Sequence, residues 1–125
     1  MSNKSSNKFQ YVFTFDNYGK NYGNKAVRGL RLFDTFSEAK DYMKAFCFDY
    51  LDKTGDTPNS LFLEIGKVDK SVGQKLFDIS KANPDDFCNL DYFRNQFCGF
   101  YFVYNYNPRY FADWDSIMKD RKIKK

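Results

Sequence analysis

Residues 97–114 run FCGFYFVYNYNPRYFADW, and nine of these eighteen residues are aromatic. Such a run is either a strand buried in a sheet or a row of rings exposed to stack on unpaired bases. The choice decides the fold. As a strand, it sends Phe97, Tyr101 and Val103 one way and Cys98, Phe100, Phe102, Tyr104 and Tyr106 the other. Both rows are apolar, the pattern of a strand covered on two sides, and long apolar runs belong to interiors. The expectation is a core strand ending near Tyr106, stopped by Asn107-Pro108, with Tyr104, Tyr106, Arg109 and Tyr110 at its wet end.

Toward the N-terminus the elements become plainer. In KFQYVFTFD, Phe9, Tyr11, Phe13 and Phe15 share one face, while Gln10, Val12, Thr14 and Asp16 share the other. This alternation predicts a half-buried strand with a polar outer face. The glycines of NYGKNYGNK suit a loop, and AVRGLRLF supplies a second strand that places Leu30 and Leu32 on one face, as in an antiparallel hairpin. Thr35-Phe36-Ser37-Glu38 is a capping box. The helix it opens, over 36–53, carries Ala39, Tyr42, Met43, Phe46 and Tyr50 at helical spacing, and Gly55 follows its last turn. SLFLEIGKV predicts a strand with Leu61, Leu63 and Ile65 inward. Over 71–81, Ser71 with Gln74 can cap a short helix bearing Val72, Leu76 and Ile79, or DKSVG can turn a hairpin into KLFDIS; helix is the preferred assignment. Asn83-Pro84-Asp85-Asp86 predicts another helix start, ending near Gln96. A last helix should run through Trp114, Ile117 and Met118 into the tail DRKIKK.

These elements predict one α+β domain over 9–118, between a flexible N-terminal segment (1–8) and a basic tail (119–125). Its antiparallel sheet should have about four strands, with the long helix packed on one face and shorter helices near the C-terminus. The core must be built from rings, since the chain has 15 Phe and 10 Tyr against seven Leu and five Val. No apolar run approaches the roughly 20 residues that span a bilayer, and MSNKSSNK lacks the apolar segment of a secretory signal. The three cysteines, Cys47, Cys88 and Cys98, have no paired spacing and sit beside aromatic residues as small buried hydrophobes would. A reduced, cytoplasmic protein is expected, with no membrane partner.

Net charge is +4, with nine basic against six acidic residues over 1–53, five against seven over 54–106 and six against three over 107–125. That balance argues against an acidic mimic of DNA. The absence of histidine removes Ser-His-Asp and Cys-His machinery, and neither a phosphate loop nor a dinucleotide fingerprint is present. The carboxylate clusters are Asp85-Asp86, which suits helix capping, and Asp113-Trp114-Asp115, which could ligate a cation. Glu64 and Lys67, three apart on a strand, fall on opposite faces. No catalytic residue, metal or cofactor is therefore assigned.

The clearest binding signal is NYGKNYGNKAVRGLRLF, residues 17–33. Lys20, Lys25, Arg28 and Arg31 interleave with Tyr18 and Tyr22, with no acid between Asp16 and Asp34. Cations attract phosphates and rings stack on bases; equally, such lysines keep an edge strand soluble. Arg109 and Tyr110 complete the candidate partner-binding residues.

The run GLRLFDTFSEAKDYMKAF, from Gly29 to Phe46, resembles small accessory proteins of phages and mobile elements in low-GC bacteria, among them anti-CRISPR and other counter-defence proteins. The resemblance implies a compact α+β inhibitor that binds a host protein or ribonucleoprotein without catalysis, and it assigns no residue a role. The alternatives are a small basic single-stranded nucleic-acid-binding protein and an aspartate-based, metal-dependent nuclease.

Overall fold

A computed structural model describes residues 8–16, 28–82, 95 and 97–124. Four strands, β1 (Phe9–Asp16), β2 (Arg28–Phe33), β3 (Phe62–Asp69) and β4 (Phe100–Tyr106), form one sheet in the order β2-β1-β3-β4. Every neighbouring pair is antiparallel. Helix α1 (Phe36–Thr54) follows β2, helix α2 (Lys70–Ala82) follows β3 directly, and helix α3 (Trp114–Lys124) closes the chain. Short 3-10 turns at Pro58–Ser60 and Pro108–Tyr110 precede β3 and follow β4. The expected helix starting at Asn83 and the loop at 17–27 lie outside the described residues.

The α+β class, the four-stranded sheet and the long capped helix are as the sequence predicts. Thr35 Oγ1 accepts from the Glu38 amide at 3.1 Å and Glu38 Oε1 accepts from the Thr35 amide at 3.2 Å. At the far end Gly55 takes φ 75°, and its amide donates to the Leu51 carbonyl at 2.9 Å. Residues 70–82 are helical, which decides the open choice over 71–81 in favour of helix.

The helices cover both faces of the sheet. On one, α1 packs Ala39, Met43, Cys47 and Tyr50 against Phe13, Phe15, Leu63 and Ile65, with Phe13 opposite Ile65 in register. Ring packing dominates there: Phe46 lies 4.4 Å from Phe15 and 5.7 Å from Phe13, centroid to centroid. On the other face, α2 places Val72 and Leu76 over Val12, Leu30, Val68 and Phe100. This second layer corrects the expectation of a polar, solvent-facing side on β1. Val12, Thr14 and Asp16 are all fully buried, and α2 packs over Val12 on the face that its polar neighbours seemed to leave open.

The aromatic run is also different from its expected form. β4 is the terminal strand of the sheet, not a central one. Its register slips between Ile65 and Gly66: Tyr104 stands opposite Ile65 but Phe102 opposite Gly66, leaving Val103 as an extra, bulged residue. The bulge reverses the alternation. Phe100 is consequently buried in the α2 layer and Tyr106 in the α1 layer, whereas Tyr101 and Val103 are exposed. Cys98, expected to be buried, is exposed in the turn before the strand.

Candidate binding surfaces

Of the residues singled out in the sequence, those described do not form one site. Tyr18, Lys20, Tyr22 and Lys25 lie outside the described residues. Arg28 opens β2 directly across from the buried Asp16. Arg31 is exposed, its Nη1 donating to the Leu30 carbonyl at 3.0 Å and its guanidinium carbon 6.0 Å from the Phe15 ring centroid. Arg109 and Tyr110 occupy the 3-10 turn after β4, whereas Arg28 and Arg31 lie on β2, at the opposite edge of the sheet.

Around that turn the chain builds a rigid corner. The Asn107 side chain accepts from the Arg109 amide at 3.0 Å, and the buried Trp114 donates from its indole Nε1 to the Pro108 carbonyl at 3.0 Å. Trp114 contacts Phe48 of α1 at 4.6 Å and Phe111 at 5.6 Å, and Tyr106 stacks on Phe111 at 5.2 Å. Outside this aromatic corner, a cleft of about 320 Å³ is lined by Asn59, Arg109, Ala112, Asp113, Trp114 and Asp115. Asp113 and Asp115 were the candidate cation ligands. Asp113 Oδ1 instead accepts from the Ser116 amide at 3.2 Å, capping α3. Among the described residues no three acidic or cysteine side chains converge as a metal site would require.

The exposed large hydrophobic side chains lie mostly on the same stretch of chain. Among the described residues these are Tyr101 (52% exposed), Val103 (39%), Tyr110 (76%) and Phe48 (40%). The first three belong to β4 and the turn after it, and Phe48 touches Trp114 just beyond. The run that opened the sequence analysis is therefore half core and half surface.

A second surface was not anticipated. Helix α1 begins level with Tyr11, its Phe36 ring 6.0 Å from that of Tyr11, so the sheet beyond it is uncovered by α1. There a cleft of about 280 Å³ is lined by Lys8, Phe9, Tyr11, Asp34, Thr35, Phe36 and Lys67. The Lys67 ammonium sits 4.3 Å from the Phe9 ring centroid, and Tyr101, opposite Lys67 in register, meets Phe9 edge-on at 6.3 Å. One signal could have found it. Lys67 continues the inward row Leu61, Leu63, Ile65, and a lysine in such a row marks where the core ends.

Both surfaces present rings and charged side chains on the α+β frame. No family model, curated protein or solved structure matches the chain. No helix among the described residues is long and apolar enough to cross a membrane.

Proposed function

We propose that this protein is a non-catalytic binding protein that blocks a host protein or ribonucleoprotein, in the manner of the phage and mobile-element inhibitors its sequence resembles. The observation supporting this reading is that exposed Phe48 and Tyr110 border one aromatic corner, Phe48 against the buried Trp114 and Tyr110 against Tyr106, whose ring stacks on Phe111 beside Trp114. Exposed apolar groups clustered on a rigid base mark interaction surfaces. Tyrosine is favoured there because it offers much contact area for little lost freedom.

Comparative capture from host lysate tests the proposal, using the parent chain and a Phe48→Ser, Tyr110→Ser double variant of matched melting temperature. Expected is a partner held by the parent through nuclease treatment and released by the variant. If both proteins retain the same partners, the surface is not the working one. If purified protein degrades nucleic acid in magnesium or manganese, the non-catalytic reading is wrong.

A further inference from the structure

We propose that the cleft beyond the start of α1 is a nucleotide site, in which a base packs on the Phe9 and Tyr11 rings while Lys8 and Lys67 hold its phosphate. This site is separate from the Phe48–Tyr110 surface and does not depend on its role. Three features carry the assignment. First, the lining side chains combine two ammonium groups with one carboxylate, Asp34, and among the described residues neither lysine forms an ion pair. Lys67 is half-buried with the Phe9 ring as its neighbour, and a cation so placed gains from an incoming anion. Second, Phe9, Tyr11 and Phe36 line the same space. A carboxylate side chain would use the lysines and leave the rings idle; a nucleotide uses both.

Third, the platform extends. Tyr101 borders Phe9 and is exposed, so a neighbouring base has a ring to stack on. The nature of the cations also discriminates. Phosphotyrosine and other terminal phosphates are commonly gripped by the planar fork of arginine, and no arginine lines this cleft. Lysines act as point charges and suit a phosphate whose orientation is set by stacking. A free nucleotide and an unpaired residue of a strand present this same chemistry.

Thymidine monophosphate, measured by calorimetry, and a short labelled oligothymidylate, measured by fluorescence anisotropy, distinguish the two sources. If the mononucleotide binds as tightly as the oligonucleotide, free nucleotide is the ligand; if the oligonucleotide binds at least tenfold more tightly, a strand is. In either case Lys8→Glu and Lys67→Ala should weaken binding about tenfold or more, and Lys67→Arg should retain most of it. For the strand, Tyr101→Ala should cost between about fivefold and a hundredfold. Its affinity should fall with salt at a slope near −0.7, for the one phosphate that the two lysines neutralise. Lys8 and Tyr101 are exposed, so these variants keep the fold. The assignment is overturned if neither probe binds at low salt. It is equally overturned if Lys67→Ala leaves affinity unchanged while Lys20→Ala with Lys25→Ala abolishes it, or if a phosphotyrosine peptide binds more tightly than both probes.

Discussion

Phe100 and Tyr106 lie on one strand an even number of residues apart, yet they are buried on opposite faces of the sheet. In a regular strand that spacing would put them on the same face. The extra residue at Val103 separates them, and so lets one edge strand contribute to both hydrophobic layers.

Deleting Val103 should therefore unfold the protein or nearly so, because it forces Tyr106 out of the α1 layer or Phe100 out of the α2 layer. Substituting Val103 by Ala leaves the bulge and removes only a surface side chain, for a change within about 0.5 kcal/mol. Phe100→Ala should cost about 3–5 kcal/mol by emptying a core position. Urea denaturation of the three variants checks the set; a deletion variant as stable as the parent would show that the register is set elsewhere.

The ends of α1 can be tested separately. Thr35→Ala removes the two bonds of the Thr35 hydroxyl, from the Glu38 amide and to the Glu38 carboxylate, and should cost about 0.5–2 kcal/mol. Gly55→Ala meets no atom within 4 Å, so its whole effect is the left-handed backbone, about 1–2 kcal/mol. Additive losses in the double variant are expected, since the two sites are some 20 residues apart on one helix.

Trp114→Phe keeps a ring in the aromatic corner but leaves the Pro108 carbonyl without its indole donor. The carbonyl still accepts from the Phe111 amide at 3.3 Å, so a loss of about 0.5–1.5 kcal/mol in thermal unfolding is expected. Tyr110→Ala, in the same turn but exposed, should change stability by no more than about 0.5 kcal/mol. Equal losses in the two would show that the hydrogen bond contributes nothing.

Burial pushes the Cys47 thiol from its ordinary 9.0 up to about 12. Between these values the unfolded chain carries the thiolate and the folded chain does not, so the unfolded state binds fewer protons and stability falls as pH rises. The contribution is about 1.4 kcal/mol per pH unit across that window and nothing below it. The parent should accordingly lose stability from pH 9 upward more steeply than Cys47→Ala. In native protein at pH 8, a thiol reagent should label Cys98 rapidly and Cys47 only on unfolding.

What was legible in the sequence was local. Thr35, Glu38 and Gly55 announce the limits of α1 because caps act within a few residues. The inward row Leu61, Leu63, Ile65 announces β3 for the same reason. The second helical layer was hidden by Thr14, Asp16 and Glu64, polar residues that are nonetheless buried; Glu64 accepts from the Asn105 side chain at 3.2 Å across the strand pair. Polarity there advertises solvent, and only tertiary packing contradicts it. The bulge at Val103 left no trace, since any residue can be the extra one. Phe9 belongs to a regular alternation that points to the core, although the helix covering its row begins level with Tyr11 and leaves Phe9 beyond it. A correct strand thus concealed half of the aromatic–lysine cleft.

The strand order has a consequence for how the chain is made. β1 forms its hairpin with β2 early, but its other edge must wait for residues 62–69. Until β3 leaves the ribosome, a strand bearing Phe9, Tyr11, Phe13 and Phe15 presents an unpaired backbone edge to every nascent chain nearby. Closing that gap brings together residues some 50 positions apart, a slow event compared with folding α1. Synthesis at ordinary rates leaves this edge open for seconds, and chaperone demand should peak for chains arrested between β2 and β3, falling once β3 is added.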